Sequence, residues 1–550
     1  MNRTGSIRLA FAIAMAFGVY PVQASAQHEH EMTTASMMDG PLGVSHIRMG
    51  SGTTWMPDNS TMHANHKMWG DWTLMLHGVA FGQYDHQGTK RGDSQLGIVD
   101  WEMLMAMRSI GSGRLHLHGM VSLEPLTLGA RGYPLVLQTG ESYKGQPLHD
   151  RQHPHDALME LAAMFQQPIG RNLAIELYGG LAGEPAIGPV AFMHRPSAQS
   201  DPLAPLGHHW QDATHISFGV VTAGLYSKTW KVEASTFNGR EPDENRWNLD
   251  LRRLDSYSAR VTANPVREWS FSGWYGYLAS PEELHPDESV RRYGASALHG
   301  GRGSRGGTWS STLLAAANSH GGQVAGSALA ESNLEVGLKN SFFTRAEYVR
   351  KSAADLVLDG VDPERQFDVK SLVLGYIREI ASIRGGTIGV GARGSVNFVP
   401  DAVGKFYGTN APKGIDVFLR IRPKAMREDE AMKGMDMSSP VASPPKMPMT
   451  MPMGSDTSMK HEPMVMTHDS AMTHQHDSTM HHDSTMVMHH KPSAPVASKS
   501  TATRKPVKKA TAKKPAKKST AKKPAAKDPH AGHDMKGMKM PADTSKKKHP

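Results

Sequence analysis

Between about residue 71 and residue 423 the sequence alternates apolar and polar residues in segments of about ten. In "TWKVEASTF" (229–237) two sets of side chains alternate: Trp230, Val232, Ala234 and Thr236 against Lys231, Glu233 and Ser235. Successive side chains of a β-strand point to opposite faces, so this segment has one apolar and one charged face as a strand. "GRLHLHGMVSLEP" (113–125) has the same pattern. The alternation favours an all-β fold, and it does not show which face points inward.

About sixteen such segments can be counted. Their number, and their length of about ten residues, suit tilted strands that cross a membrane. We expect them to begin near 71, 97, 113, 157, 171, 213, 229, 256, 269, 289, 307, 327, 340, 367, 386 and 414. The connections after even-numbered segments are short, as in "SIGSG" and "ASIRGG", whereas most others are longer. This long–short alternation is typical of a bacterial outer-membrane barrel, with tight periplasmic turns and extended outer loops. The alternative is a large exported β-sandwich or propeller.

The first 26 residues have the features of an export signal. Arg3 and Arg8 precede an apolar stretch, Leu9 to Val22, and Ala24-Ser25-Ala26 provides the small residues of a cleavage site. An ordinary N-terminal helix is the alternative. No later stretch has the ~20 apolar residues of a membrane-spanning helix. The sequence therefore predicts a signal peptide at 1–26, an N-terminal periplasmic segment at 27–70 and an antiparallel transmembrane β-barrel at 71–423.

The composition changes after Pro423. Residues 424–550 hold 23 Lys and Arg against 12 Asp and Glu, so the net charge of +9 comes from this tail. We expect it to be a disordered low-complexity tail, since Pro, Ser and Thr are frequent and little is available to build a core. It divides into a Met/His-rich segment (424–490), a Lys/Ala/Pro-rich basic linker (491–527) and a His/Met-rich C-terminal motif (528–550).

Methionine and histidine make the tail a candidate metal-binding region. The chain has 35 Met, 30 His and no Cys, and 18 of the methionines lie in the tail. The candidate ligands are Met447, Met449, Met451, Met453, His474, His476, His481, His482, Met486, Met488, His489, His490, His530, His533, Met535, Met538 and Met540. Thioethers are soft, uncharged ligands that suit Cu(I), and imidazole adds Cu(II) and Zn. Copper or silver is favoured over zinc, and featureless low complexity is the alternative.

The basic linker would attract polyanions. Because the chain carries an export signal, lipopolysaccharide or peptidoglycan is a more plausible partner than nucleic acid. A solvated charge run without a partner is the alternative. Outer-membrane lipid and metal ions are the other expected partners, with periplasmic copper-handling proteins as a further candidate.

"HDRQHPHD" (149–156) packs three histidines and two aspartates into eight positions, at the end of the long loop between the third and fourth strands. We expect it at the outer mouth of the barrel, beside the next long loop. The mouth candidates are His149, Asp150, His153, His155, Asp156, His194, His208, His209, Asp212 and His215. Pro154 disfavours helix, so extended backbone should place His153 and His155 on one face. They could be two ligands of one cation or two donors to one carboxylate, and a bracing network of ion pairs is the alternative.

Below the mouth, one phase of the strands places further candidate ligands in the barrel interior. They are Met75, His77, Glu102, His116, His118, Met120, Glu160 and Glu176. His116 and His118 are two residues apart on one strand, so they share a face. The prediction is a path of His, Met and carboxylate side chains from the mouth to the interior.

Several motifs resemble a family of uncharacterised bacterial outer-membrane proteins. They are "HDRQHPHD", "GEPAIGPVAFMHRPSA", "PLGHHWQDATHISFGVVTAG" and "FNGREPDENRW", and the resemblance covers about Gly50 to Pro423. It implies a β-barrel and no particular activity. The tail, with "HAGHDMKGMKM", is similar to ligand-rich segments of copper-resistance outer-membrane and periplasmic proteins, which usually carry them ahead of the barrel.

Three functions follow as hypotheses. The first is an outer-membrane barrel for copper or silver binding, tolerance or efflux, with a periplasmic metal-binding tail. The second is a porin-like channel or receptor for another small solute, with a tail that only buffers metal. The third, a membrane-embedded hydrolase, is disfavoured because no Ser-His-Asp order, HExxH or paired-carboxylate motif can be identified.

Overall fold

The structure, a computed structural model, describes residues 39–303 and 307–426. The signal peptide at 1–26, the tail ligands and the basic linker lie outside these ranges. Within them, no helix is long and apolar enough to cross a bilayer. The strands form a closed antiparallel barrel of 16 positions, which confirms the predicted fold. This is a protein of the bacterial outer membrane.

The barrel sheet contains most of the strands, and two small hairpins lie in the loop after β4. The first strands are β1 Ala64–Trp69, β2 Trp72–Gly88, β3 Ser94–Ile110, β4 Gly113–Val121, β5 Tyr133–Pro134, β6 Glu141–Tyr143, β7 Gln146–Leu148, β8 Arg151–Gln152, β9 Leu158–Pro168, β10 Ala174–Gly183 and β11 Ser217–Tyr226. The others are β12 Trp230–Phe237, β13 Ser256–Val266, β14 Trp269–Ala279, β15 Ser289–Arg302, β16 Thr308–His320, β17 Gln323–Val336, β18 Asn340–Ser352, β19 Gln366–Ile383, β20 Gly386–Phe398 and β21 Lys413–Pro423.

Short helices are confined to the connections. The α-helices are Glu124–Thr127, His208–Gln211 and Asp401–Tyr407, and the 3-10 turns are Pro41–Gly43, His46–Arg48 and Ala213–His215. The hairpin strands pair as β5 with β8 and β6 with β7. Both pairs belong to the loop that carries the octapeptide.

The barrel closes where the two ends of the described chain meet. β21 pairs with the outer half of β2, from Ala80 to Gly88, and β1 pairs with the other half. One strand position is therefore shared by β1 and β21, and an isolated bridge joins His63 to Ala425. Closure of this kind leaves no unpaired edge in the bilayer.

Most strands begin within a few residues of the predicted positions, and the barrel ends at Pro423 as predicted. The barrel starts earlier than residue 71, however, because β1 begins at Ala64. The sixth predicted segment starts at Ser217, four residues after its predicted position. These boundaries depend on local alternation, which each strand carries in its own sequence.

The structure settles which face of each strand points inward. On β12, Trp230 and Val232 are 37% and 46% exposed, whereas Lys231 and Glu233 are 0% and 1% exposed. The apolar face is therefore the outer face, and the charged face lines the barrel interior, which we call the lumen. A soluble β-sandwich would have the opposite arrangement, whereas an apolar outer band is the arrangement of a membrane barrel.

Two bands of aromatic side chains mark the limits of the apolar outer surface. At the end with the tight turns the exposed aromatics include Trp69, Trp230, Trp269, Trp309 and Phe342. At the end with the loops they include Tyr84, Tyr257, Tyr275, Tyr293 and Phe398. Aromatic side chains prefer the interface between lipid and water, so the two bands delimit the membrane-spanning height.

Loop lengths follow the predicted long–short alternation with one exception. β16 and β17 are joined at the loop end by only Gly321 and Gly322, which have φ of 54° and 84°. Positive φ at both central residues is the requirement of a type I′ turn, which Gly meets without strain. The lumen is filled by the long connections between other strands at the loop end.

Residues 184–216, the connection between β10 and β11, fold into the lumen and are almost entirely buried. We call them the inserted loop. Arg195 pairs with Asp212 of the same loop and with Glu331 of β17 on the far wall. Asp201 pairs with Arg345 of β18 and Arg393 of β20. The charged lumenal face therefore holds this loop across the barrel.

The described part of the predicted periplasmic segment, residues 39–62, also packs inside the barrel. We call it the N-terminal segment. Asn264 donates to the carbonyl of Met56 at 2.8 Å, and Ser270 donates to that of Trp55 at 3.0 Å. Asn59 contacts Glu268 in a tight turn, which places the segment at the turn end of the lumen. Buried lumenal side chains satisfy its backbone, as a chain without a sheet of its own requires.

Candidate functional site

Three connections meet at the loop end of the barrel: residues 122–157, the inserted loop, and residues 238–255. The octapeptide is held in the first of them by the β5–β8 pairing, in which Gln152 opposes Tyr133. His208 and His209 lie in the short helix of the inserted loop, and His215 lies in the following 3-10 turn. The sequence expectation that these loops meet over one end of the barrel agrees with this placement.

Five histidines from two of these connections form one group, which we call the loop cluster: His153, His155, His208, His209 and His215. Ring centroids are 5.1 Å apart for His208 and His209, and 5.2 Å apart for His208 and His215. His155 lies 5.5 Å from His215. Few apolar side chains intervene, although Phe192 packs beside His155 and His208.

One part of the loop cluster is a candidate metal centre. Ligand atoms of His153, His208 and His209 all lie within 4.8 Å of one another, and so do those of Glu141, His209 and Glu241. Around a tetrahedral cation with bonds of about 2.0–2.1 Å, ligand atoms are roughly 3.3 Å apart. A contraction of the order of 1 Å would bring either set to that spacing. His209 belongs to both sets, so it is the central residue of the site.

His153 and His155 do not share a partner, contrary to the sequence expectation. His153 Nε2 lies 2.8 Å from Glu141 Oε1, whereas His155 Nδ1 lies 3.0 Å from Glu124 Oε2. The amide of His155 also donates to Glu124. Glu141 is in the β6 hairpin and Glu124 in the helix after β4, so different segments capture the two rings. Only His153 belongs to the candidate metal sets.

The acidic and basic residues of the octapeptide brace the loops. Asp150 accepts the amide of Leu137 at 2.8 Å and the hydroxyl of Tyr407 at 2.8 Å, and it pairs with Arg91 at 2.7 Å. His149 points toward Arg91 and Asp150, so it lies apart from the loop cluster.

Asp156 has a similar role to Asp150, because Arg246 joins it to Glu141 at 3.4 Å and 2.8 Å. Arg151 pairs with Asp93 and donates to Gly132. The octapeptide therefore combines a bracing frame with one candidate ligand.

Asp212 orients the central histidines. Its Oδ1 lies 2.7 Å from His208 Nδ1, and its Oδ2 accepts the amide of Phe192 and contacts Arg195. A carboxylate that fixes one ring nitrogen leaves the other directed at a ligand, an arrangement common around metal-binding histidines. Burial favours the neutral form of Asp212, but His208 and Arg195 outweigh it and lower the pKa of this carboxyl. Asp212 thus stays ionised beside His208.

Burial keeps the three histidines of the inserted loop that belong to the cluster neutral. It lowers the pKa of His209 to about 3, lowers that of His208, and lowers that of His215 well below 6.5. Neutral imidazole is the form that binds metal ions. Nδ1 of His209 and Nε2 of His215 have no hydrogen-bond partner among the described residues. The site therefore offers unprotonated, unpartnered nitrogens in a buried position.

The two glutamates of the site differ in charge. Burial raises the pKa of Glu141, but His153 and Arg246 outweigh it and lower that pKa overall. Burial together with neighbouring Glu141 raises the pKa of Glu241 to about 8. Near neutral pH Glu141 is ionised and Glu241 carries a proton. A cation entering between them would release that proton and take its place.

The remaining interior candidates lie on the wall of β1 to β4 and β9, except Glu176, which lies on β10 and pairs with Lys231. Register pairs their lumenal side chains into three rows: Ala64, His77, Met103, Met120 and Glu160; His66, Met75, Met105, His118 and Ala162; and Met68, Thr73, Met107, His116 and Met164. We call these rows the methionine wall. His194 lies above it, 5.6 Å from His77.

Glu102 is not lumenal, which corrects the sequence expectation. It pairs with Val121, an exposed outer-face residue, and its carboxyl lies beside that of Asp100. Met103 and Met105 of the same strand face the lumen instead. The two-residue spacing of methionines in "EMLMAMR" was the signal that could have identified them. Glu141, which belongs to one of the candidate metal sets, had no comparable signal in the sequence.

No protein-family model matches the chain, and no curated protein matches it in sequence. Among solved structures, it is similar to the outer-membrane protein OmpT of Vibrio cholerae, with 9% identity, a TM-score of 0.38, and coverage of 65% of this chain and 100% of that chain. An anion-selective porin from Comamonas acidovorans has 10% identity, a TM-score of 0.40, and coverage of 64% and 100%. Salmonella typhi OmpF, in complex with daunomycin, has 8% identity, a TM-score of 0.40, and coverage of 65% and 100%. The barrel assignment itself rests on the closed sheet and the apolar outer face of this chain.

Proposed function

We propose that this outer-membrane barrel binds copper at its loop end and contributes to copper tolerance. The observation that carries the proposal is the convergence of His153, His208 and His209, with Glu141 and Glu241 beside them. Imidazole and carboxylate ligands suit Cu(II) and Zn, and Cu(II) binds most tightly of the divalent first-row ions. Silver or zinc are the other cations that this donor set admits.

Charge supports cation binding at this position. Glu141 is the ionised group of the site, and Arg246 already neutralises part of its charge at 2.8 Å. Loss of the Glu241 proton on binding would add a second negative charge. A divalent cation would then be matched by two carboxylates and by ring nitrogens of His153, His208 and His209. Buried charges are tolerated when they are paired in this way.

The segments after residue 426 supply a second source of copper ligands, which is the reason for favouring copper. They contain methionines and histidines spaced by one to three residues, and thioethers prefer Cu(I). We propose that these segments collect copper and that the barrel binds it separately at the loop cluster. Removing residues 427–550 should then lower total bound copper and leave loop-end binding intact.

The test measures hydrogen exchange in the full-length protein with and without Cu(II). A ligand that binds only the closed loops stabilises them, so peptides covering 136–156 and 205–216 should exchange more slowly with Cu(II). A chain that ends at residue 426 should show the same protection, which separates copper bound at the loops from copper bound by the later residues. The double variant His153→Ala/His208→Ala should lose the protection and retain heat-modifiable migration on gels, which reports an intact barrel.

The matched control is His285→Ala/His320→Ala. Both histidines lie at the loop end and contact Glu288, but they are exposed and belong to neither candidate metal set. This control should keep the Cu(II)-dependent protection. If the control and His153→Ala/His208→Ala showed equal protection, the loop cluster would not be the copper site. If the unmodified protein showed no protection by Cu(II), the proposed copper-binding function would be wrong.

A porin-like channel for another small solute is the second candidate. The observation that favours it is the charged lumenal face of the closed barrel, which holds ion pairs such as Arg195 with Glu331 and Arg393 with Asp416. Liposome swelling with uncharged sugars and with small anions distinguishes the two. Rapid entry of such solutes without copper would favour the channel.

A further inference from the structure

The methionine wall is chemically unlike the rest of the lumen. Seven of its fifteen positions are Met and four are His. The facing wall carries ion pairs instead, such as Arg345 of β18 with Glu331 of β17. Barrel interiors are ordinarily polar, so a continuous thioether and imidazole surface on five neighbouring strands requires a separate explanation.

His118 lies at the centre of this wall, and one of its ring nitrogens is held by a carboxylate while the other is available to bind a cation. Its Nδ1 lies 3.2 Å from Glu160 Oε1, and the hydroxyl of Tyr178 donates to the same oxygen at 2.7 Å. A proton on Nδ1 donated to this carboxylate leaves Nε2 with a free lone pair. Nε2 has no hydrogen-bond partner among the described residues, although His118 is only 3% exposed. A histidine fixed by a carboxylate on one nitrogen is a recurrent form of metal ligand.

Soft side chains lie in the same row of the sheet as His118. In the middle row, His66, Met75 and Met105 precede His118 on successive strands. Side chains directly opposite each other in a sheet have Cβ atoms about 4.5–5.5 Å apart. The thioethers of Met75 and Met105 can therefore reach a point that His118 also reaches.

Two segments that are not part of the wall close over it. His46 of the N-terminal segment places Nε2 at 3.2 Å from Met75 Sδ. His194 of the inserted loop lies over His77, and its Nε2 has no partner among the described residues. The wall is therefore enclosed by imidazoles contributed from both ends of the lumen. A packing role alone would be served by apolar side chains. It would not require buried imidazoles with unmet hydrogen bonds, which are unfavourable.

We infer that the methionine wall is a binding site for a soft monovalent cation, Cu(I) or Ag(I), held by Met75, Met105 and His118. Thioethers and neutral imidazoles are the ligands such cations prefer. Glu160 contributes one negative charge through His118, which matches a charge of +1. The inference rests on the proposed function for its biological cation, copper. Its ligands do not overlap the loop cluster, so the two sites can be tested separately.

The experiment uses the full-length protein in detergent, in chloride-free buffer, with Ag(I) as a redox-inert probe. The midpoint of barrel unfolding is followed by heat-modifiable migration as Ag(I) is added. A cation that binds the folded barrel raises this midpoint, and a tighter-binding cation raises it further. The double variant Met75→Leu/Met105→Leu removes both thioethers with little change in volume, so the barrel should still fold. Its midpoint should shift little with Ag(I).

Two controls keep the result specific. Met49→Leu/Met56→Leu removes two thioethers of the N-terminal segment that lie outside the rows, and it should keep the full Ag(I) shift. All variants share the same sequence after residue 426, so silver bound there cancels in the comparison. Glu160→Gln should weaken Ag(I) binding by about 10–100-fold, the usual effect of losing the partner of a histidine ligand.

The outcomes separate this site from the loop cluster. His153→Ala/His208→Ala should keep the Ag(I) shift even though it loses protection by Cu(II). An Ag(I) shift in Met75→Leu/Met105→Leu equal to that of the unmodified protein would overturn the inference and leave the proposed function standing. Absence of any Ag(I) shift in the unmodified protein would overturn it as well.

Discussion

Arg195 of the inserted loop and Glu331 of the opposite barrel wall form a fully buried ion pair, with Nε and Oε1 2.5 Å apart. Glu331 also pairs with Arg345, and Ser197 donates to it at 2.9 Å. One carboxylate thus connects two points of the inserted loop to two strands. Because the loop carries His208, His209 and His215, this contact also sets the position of the loop cluster.

Replacing Glu331 with Gln should release the inserted loop. The substitution leaves Arg195 and Arg345 buried without their shared counter-charge, and breaking a buried pair in this way costs about 3–5 kcal/mol. We expect a lower free energy of unfolding and faster proteolysis within 184–216. Asp368→Asn is the matched control, since Asp368 and Arg350 form an exposed pair on the same barrel. Exposed pairs contribute roughly 0–1 kcal/mol, so an equal loss in both variants would contradict the anchoring role of Glu331.

Histidines of the loop cluster should make loop closure sensitive to acid. Burial lowers the pKa of His209 to about 3 and that of His215 well below 6.5, whereas unfolded His titrates near 6.5. Their contribution to stability is complete above about pH 6.5 and is lost as the pH falls toward 3, because the open loop binds the protons. Each group contributes a slope of up to about 1.4 kcal/mol per pH unit.

His209→Gln/His215→Gln should therefore lose less loop protection between pH 6.5 and 5 than the unmodified protein. Hydrogen exchange of peptides covering 205–216, measured with a chelator present and corrected for intrinsic rates, gives the comparison. The exposed pair His285→Gln/His320→Gln serves as the control and should follow the unmodified protein. An identical acid response in all three proteins would show that other groups govern the loop.

Local alternation was enough to predict the barrel. β4, β13, β14, β15, β18 and β20 begin at the predicted residues because each strand carries its own two-residue period. When both faces of a strand contain polar residues, local alternation does not show which face points into the lumen. For β3, the charge of Glu102 suggested the wrong face. Pairing of Met103 with His77 and Met120 fixes the true one, and a single strand does not contain that information.

The convergence of the loops could be inferred from their order, but their fine structure could not. Arg195 and Glu331 are 136 residues apart, and nothing in either local sequence specifies the pair. The same holds for Glu141, whose role depends on two other loops. For the octapeptide, the sequence left ligand and bracing roles open, and tertiary contacts divide its residues between bracing by Asp150 and a candidate ligand in His153.

Glu241 should give the loops the opposite pH response at higher pH. Burial and neighbouring Glu141 raise its pKa to about 8, and the unfolded value is near 4.3. The folded loop therefore holds a proton that the open loop has lost, so this contribution to stability falls as the pH rises from about 4.3 to 8. Glu241→Gln resembles the protonated acid and should be less sensitive over this range. Exchange of peptides covering 238–250, measured at pH 6 and pH 8 without metal, tests this. A steeper pH response in the variant would contradict it.

The N-terminal segment should limit passage through the barrel. Asn264 and Ser270 each donate one hydrogen bond to its backbone, at the carbonyls of Met56 and Trp55. Asn264→Ala/Ser270→Ala removes both donors, at about 1 kcal/mol each. The segment should then leave the lumen more often, and conductance in planar bilayers should increase or begin to fluctuate. Ser258→Ala is the matched control, because the hydroxyl of Ser258 is buried in the same lumen and has no hydrogen-bond partner among the described residues. Unchanged conductance in the double variant, with its barrel intact on gels, would show that the inserted loop rather than the N-terminal segment closes the lumen.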